Sequence, residues 1–139
     1  MGTLKHSKAF KAVLRGRNEV PPVKTKASGI AVLKVVNNGT QIRFRLAVRN
    51  ISKLLQAHIH LARKGANGPV VAFLFSTTKY PISVKKGFVT GVLTSNDLVG
   101  PLAGRTIADL VAEIKSGNAY VNVHTVKHPN GEIRGQLRR

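Results

Sequence analysis

The sequence predicts an all-β protein, a sandwich or barrel of about eight short strands with one short crossover helix. Three observations lead there. Apolar and polar residues alternate with period two through much of the chain, the mark of half-buried strands. Tight-turn signals punctuate these runs at Asn37-Asn38-Gly39, Asn67-Gly68-Pro69 and His128-Pro129-Asn130-Gly131. One segment, residues 106–117, carries a helical apolar stripe instead. The chain has 139 residues, of which 42% are hydrophobic and 5% aromatic. That suffices for one core filled mainly by Val, Ile, Leu and Ala.

Residues 1–8 read as an N-terminal arm and 9–139 as a single domain. Residues 9–14 form a short apolar strand, and 29–36, rich in Val and Ile, a second. The cleanest alternation is at 41–49. Ile42, Phe44, Leu46 and Val48 point one way, while Arg43, Arg45 and Arg49 point the other. At 56–61, Ala57, Ile59 and Leu61 share one face, and Gln56, His58 and His60 the opposite one. Residues 70–75 are continuously apolar, consistent with burial on both faces. Residues 88–93 are β-branched and aromatic, and Asp97 behind them suits a turn or cap. In 106–117, Ile107, Leu110, Val111 and Ile114 follow the i, i+3, i+4, i+7 rule. Thr106 with Asp109 resembles a capping box, Lys115 sits in the last turn, and Gly117 suits the position just past the end. Residues 120–125 and 132–137 complete the strands.

Composition narrows the function. Lys and Arg number 23 against 5 Asp and Glu, a net charge of +18. Such a field draws polyanions or acidic partners. The absence of cysteine excludes disulfides, thiolate metal sites and a cysteine nucleophile. So few carboxylates leave little for paired-acid catalysis or a calcium cage. No apolar run reaches the ~18–20 residues of a membrane span, and no apolar stretch after the first lysines forms a secretory signal. Motifs for serine hydrolases, nucleotide phosphates, dinucleotides and zinc proteases are missing. No catalytic residue is therefore assigned and no enzyme is expected.

Histidine is the remaining chemistry. On a strand, His58 and His60 project from one face about 7 Å apart. His124 shares a face with Tyr120 and Asn122 on another strand, and His128 follows in the turn. With Glu19 in support, this set suits copper or zinc, for which neutral imidazole is a ready ligand. Two other readings stay open, a hydrogen-bonded structural cluster and plain outward-facing side chains. Glu19 lies in Asn18-Glu19-Val20-Pro21-Pro22-Val23, where two prolines impose a rigid extended segment. Arg43, Arg45 and Arg49 offer an anion-binding face. Phe44 points away from them, which leaves that face without a base-stacking aromatic and makes sequence-specific nucleic-acid binding unexpected.

Taken together, the segment from Gly16 to Val23, Ala57-His58-Ile59-His60, and Gly65-Ala66-Asn67-Gly68-Pro69-Val70-Val71 resemble the CHRD domain family, first described in chordin. So do Gly100-Pro101-Leu102-Ala103-Gly104, Gly117 to Thr125, and His128 to Leu137. The resemblance runs in the family's order from about Phe10 to Leu137. It implies a Greek-key, immunoglobulin-like β-sandwich, distantly similar to Cu/Zn superoxide dismutase. It also implies an extracellular, cell-surface or spore-surface setting. The family's histidine motifs map onto His58, His60, His124 and His128. The dismutase's bridging histidine, zinc aspartate and cysteine pair have no counterpart, so dismutase activity is not expected. The leading expectation is a non-enzymatic structural or binding protein that associates with itself or with another surface protein. The alternatives are a copper- or zinc-binding protein and a cationic module for anionic polymers.

Overall fold

The computed structural model describes residues 8–77 and 80–139. All but Lys8 of the expected N-terminal arm lies outside these residues. The strands are β1 (Ala9–Arg15), β2 (Ser28–Val36), β3 (Gln41–His60), β4 (Val70–Ser76), β5 (Ile82–Leu93), β6 (Tyr120–Thr125) and β7 (Ile133–Gln136). One helix, α1 (Ile107–Lys115), joins the β5 and β6 regions. Short 3-10 turns lie at Gly16–Asn18, Ser95–Asp97 and Gly100–Leu102.

Among the described residues there are seven strands rather than eight, because the strands expected at 41–49 and 56–61 are two halves of β3. The first half pairs with β2 on one side and β5 on the other. The second half pairs with β4 and β6. Between them the ladder slips at residues 51–56, and Asn50 and Lys53 both adopt φ 54. Those left-handed residues turn the strand from one layer of the single seven-stranded sheet into the other without ending it. The two layers expected of a sandwich are thus β1, β2, β3 and β5 on one side, and β3, β4, β6 and β7 on the other. Pairing of β1 with β7 at Arg15 and Arg134 closes β1, β2, β3, β6 and β7 into a five-strand barrel. Strands β4 and β5 are added outside this ring, each on β3.

Local sequence explains the pieces. The β2–β3 turn places Asn37, Asn38 and Gly39 at φ 56, 57 and 83, a conformation that Asn and Gly tolerate best. The helix begins at its predicted cap: Thr106 accepts from the Asp109 amide while Asp109 accepts from the Thr106 amide. Its stripe of Ile107, Leu110, Val111 and Ile114 is buried. Asp97 performs the same capping service for the 3-10 turn behind β5. Inward residues such as Leu14, Leu33, Ile42, Ile59, Val121 and Ile133 are fully buried and form one core. In β4, by contrast, Phe73 is 46% exposed. The expected two-sided burial fails at Phe73, which stands outward on an edge strand paired, among the described residues, with β3 alone. Among the described residues, no helix is long and apolar enough to cross a membrane.

Candidate metal centre

The outer face of the second layer carries the histidines. His58 and His60 sit two apart on β3, and β6 runs alongside with His58 opposite Asn122 and Gln56 opposite His124. This register brings three rings together across two strands. Their centroids are 5.6 Å (His58–His60), 4.7 Å (His58–His124) and 5.8 Å (His60–His124) apart. One nitrogen from each ring lies within 4.8 Å of the others.

Backbone carbonyls set the lone pairs. His60 Nδ1 donates to the Gly68 carbonyl at 2.9 Å, and His124 Nδ1 donates to the Pro129 carbonyl at 2.8 Å. A carbonyl can only accept, so each Nδ1 carries the hydrogen and each Nε2 bears a lone pair. Among the described residues both Nε2 atoms are buried without a partner, and so are both ring nitrogens of His58. An unpaired buried acceptor costs roughly 1–3 kcal/mol. Three converging on one point describe a donor set rather than a finished hydrogen-bond network.

Electrostatics keep these rings neutral. Burial, reinforced by His124 and His60, lowers the His58 pKa to about 4. Burial also lowers His60 and His124, partly offset by their carbonyl partners. The lone pairs therefore stand ready at neutral pH with no proton to displace.

The surroundings account for most of the remaining motif. Tyr120 stacks on His60 at 4.8 Å, and the Arg134 guanidinium lies over the Tyr120 ring at 3.5 Å. Arg134 is 2% exposed and donates to Asn67 Oδ1 and to the carbonyls of Ala66 and Arg63. It fastens the loop of residues 61–69 above the cluster and so holds the Gly68 carbonyl against His60. Phe73 packs edge-on against His58 at 4.4 Å. His124 is the least buried of the three.

The other expected site residues lie elsewhere or play another part. Glu19 is buried next to Asn122 and Arg134, beneath Gly131, and stands apart from the three converging nitrogens. Burial pushes its carboxyl up to about 7, against the pull of Arg134. His128 sits in the β6–β7 turn, where its amide donates to Thr125 Oγ1 and its carbonyl accepts from Thr125 and Gly131. It is outside the three-histidine group. Glu132 accepts from Thr25 and Thr125 and pins the segment after Pro22 to β6. Arg43, Arg45 and Arg49 project from the outer face of the first layer, away from the histidines. Contrary to the expectation of an arginine face without aromatics, Phe88 of β5 joins that face, with the Arg45 guanidinium 4.6 Å from its ring. Sequence reasoning passed over Arg134. Its one signal was its alternation with Glu132 and Gln136 on a strand that pairs Arg134 with Asn122.

The family model of the CHRD domain matches residues 10–137. No curated protein and no solved structure matches significantly.

Proposed function

From the chain's membership of the CHRD domain family, whose domains are non-catalytic structural or binding modules, we propose that this protein binds one first-row transition ion through His58, His60 and His124. The observation that carries the reading is the convergence, within 4.8 Å, of three neutral imidazoles, each with a buried ring nitrogen that has no partner among the described residues. Three imidazole nitrogens suit copper(II) and zinc, and copper(II) binds such a set more tightly. Gly68 and Pro129 hold two ligands from behind, as second-sphere carbonyls do at other histidine sites. Three protein ligands leave the fourth position of a tetrahedral ion for an exogenous donor. When bound, the ion ties β3 to β6 and makes the loop above His60 part of the centre. A net charge of +18 opposes a dication at long range, but neutral ligands at contact distance outweigh a screened field.

Metal analysis of untagged protein, followed by Cu²⁺ and Zn²⁺ titration, tests this. One ion per chain is expected. His58→Ala, His60→Ala and His124→Ala should each weaken binding by at least ~100-fold, since second-sphere losses alone cost ~10–100-fold. His128→Ala should leave binding unchanged. Absence of stoichiometric metal in the wild type, or equal losses in His128→Ala, would overturn the proposal.

A further inference from the structure

The outer face of the first layer is built in rows across four paired strands. One row is Val13, Ile30, Ala47 and Phe88, each opposite the next in register. Val13, Ile30 and Phe88 are 39%, 44% and 66% exposed. On one side of this apolar row run Arg15, Arg49 and Lys86 with Ser28. On the other run Lys11 and Arg45 with Val32 and Thr90, and beyond them Lys34 and Arg43. No acid occurs in β1, β2, β3 or β5. Val13, Ile30 and Ala47 are shorter than the cationic side chains beside them, so this part of the row is recessed, while Phe88 stands out at its end with the Arg45 guanidinium over its ring. A depression of about 150 Å³ lies there, floored by Val13, Ile30 and Ala47 and rimmed by Arg15 and Arg49.

We propose that this trough is a docking site for an acidic amphipathic helix of a partner protein, one with an apolar stripe between two edges of Asp or Glu. The two cationic rails stand four residues apart along the strands, about 13 Å, which accommodates a helix ~10–12 Å across. The row spans three inter-strand gaps, about 14 Å, or roughly three helical turns. Charge complementarity selects the partner's sign on both edges. The recessed apolar floor selects against a plain polyelectrolyte, which has nothing to place on it, and against a flat bilayer, which cannot descend between the rails. A second copy of this chain is disfavoured, because face-to-face contact would oppose rail to rail. A single exposed aromatic is too little for a base-stacking platform.

The probe is a fluorescent 14-residue helical peptide with a leucine stripe flanked by glutamates on both sides. Comparison ligands are its scrambled isomer, poly-glutamate of equal length, oligo-dT, and phosphatidylserine-containing vesicles. At about 0.1 M salt, where long-range attraction is screened, the striped peptide should bind at least tenfold tighter than the scrambled peptide and poly-glutamate. Ile30→Lys, which removes the apolar floor while adding a positive charge, and Arg49→Glu should each lose at least tenfold, with folding verified by circular dichroism. Arg63→Glu, in the loop on the opposite layer, makes the same charge change as Arg49→Glu and should keep the affinity. Equal binding of the scrambled peptide or poly-glutamate would mean that the face reads charge alone and would overturn the proposal. So would binding of vesicles or oligo-dT in preference to the peptide, concentration-dependent self-association through this face, or no binding by any ligand.

Discussion

Gly68 and Pro129 orient His60 and His124 with main-chain oxygens, so the donor set depends on backbone position more than on neighbouring side chains. At Gly68 a Cβ would run into the Leu61 carbonyl, and that contact is with backbone that cannot simply swing aside. Gly68→Ala should therefore cost ~2 kcal/mol of stability and weaken metal binding by ~10-fold through the displaced carbonyl. Chemical denaturation and Cu²⁺ titration of the same variant check both. In metal-free protein the titrating groups oppose one another. His58 is held at about 4 against an ordinary 6.5, so between those values the unfolded chain takes up a proton that the folded chain refuses. Acidification then costs stability. Glu19 is held at about 7 against 4.5, so in that window the folded chain holds the extra proton and acidification adds stability. His60 and His124, also lowered, act in the same direction as His58. Urea melts from pH 6.5 down to 4.5 should show falling stability, with a steeper fall in Glu19→Gln. An equal or shallower fall in that variant would refute the balance.

At the scale of elements, the bend in β3 carries a local cost. Lys53 has a β-carbon and yet sits at φ 54, where a left-handed backbone costs roughly 1–2 kcal/mol. Lys53→Gly should raise stability by ~0.5–1 kcal/mol, read as a higher melting midpoint, while Thr106→Ala should lower it by ~1 kcal/mol through loss of the α1 cap. The helix was legible because its stripe and cap are local signals. So were the alternating strands, including Arg43, Arg45 and Arg49 on one outward face. The continuity of β3 was not, because residues 50–55 break the alternation just as a loop would, and only pairing with β5 and β6 carries the strand through them. Phe73 misled for a related reason. An apolar run does not reveal that its strand will stand at an edge.

On the scale of the whole molecule, the charge of +18 loads the folded state with self-repulsion that the expanded chain relieves. Stability should rise as salt is added from low ionic strength toward 0.5 M, and differential scanning fluorimetry across that range checks it; a flat or falling midpoint would contradict it. The three-histidine cluster was partly legible, since the period-two rule puts His58 and His60 on one face. His124 joins them only through the β3–β6 register, which is long-range. Arg134 was harder to see: in a chain so rich in cations, its alternation with Glu132 and Gln136 is a faint local sign, and its burial follows from the long-range packing of β7 and the loop of residues 61–69.

The bend in β3 also governs how the protein can be divided. A cut at residues 50–53 would leave each fragment with half of β3, neither able to close the ring, and would split the cationic trough, sending Lys86 and Phe88 of β5 with the histidines. A cut in the Asn37-Asn38-Gly39 turn instead would give a β1–β2 hairpin and a larger fragment that keeps β3 whole. The exposed flank of β3 in that larger piece is then a template of nine paired positions, from Ser28 opposite Arg49 to Val36 opposite Gln41. Two such fragments have a specific edge along which to reassemble, which makes this turn the natural place to build a split reporter.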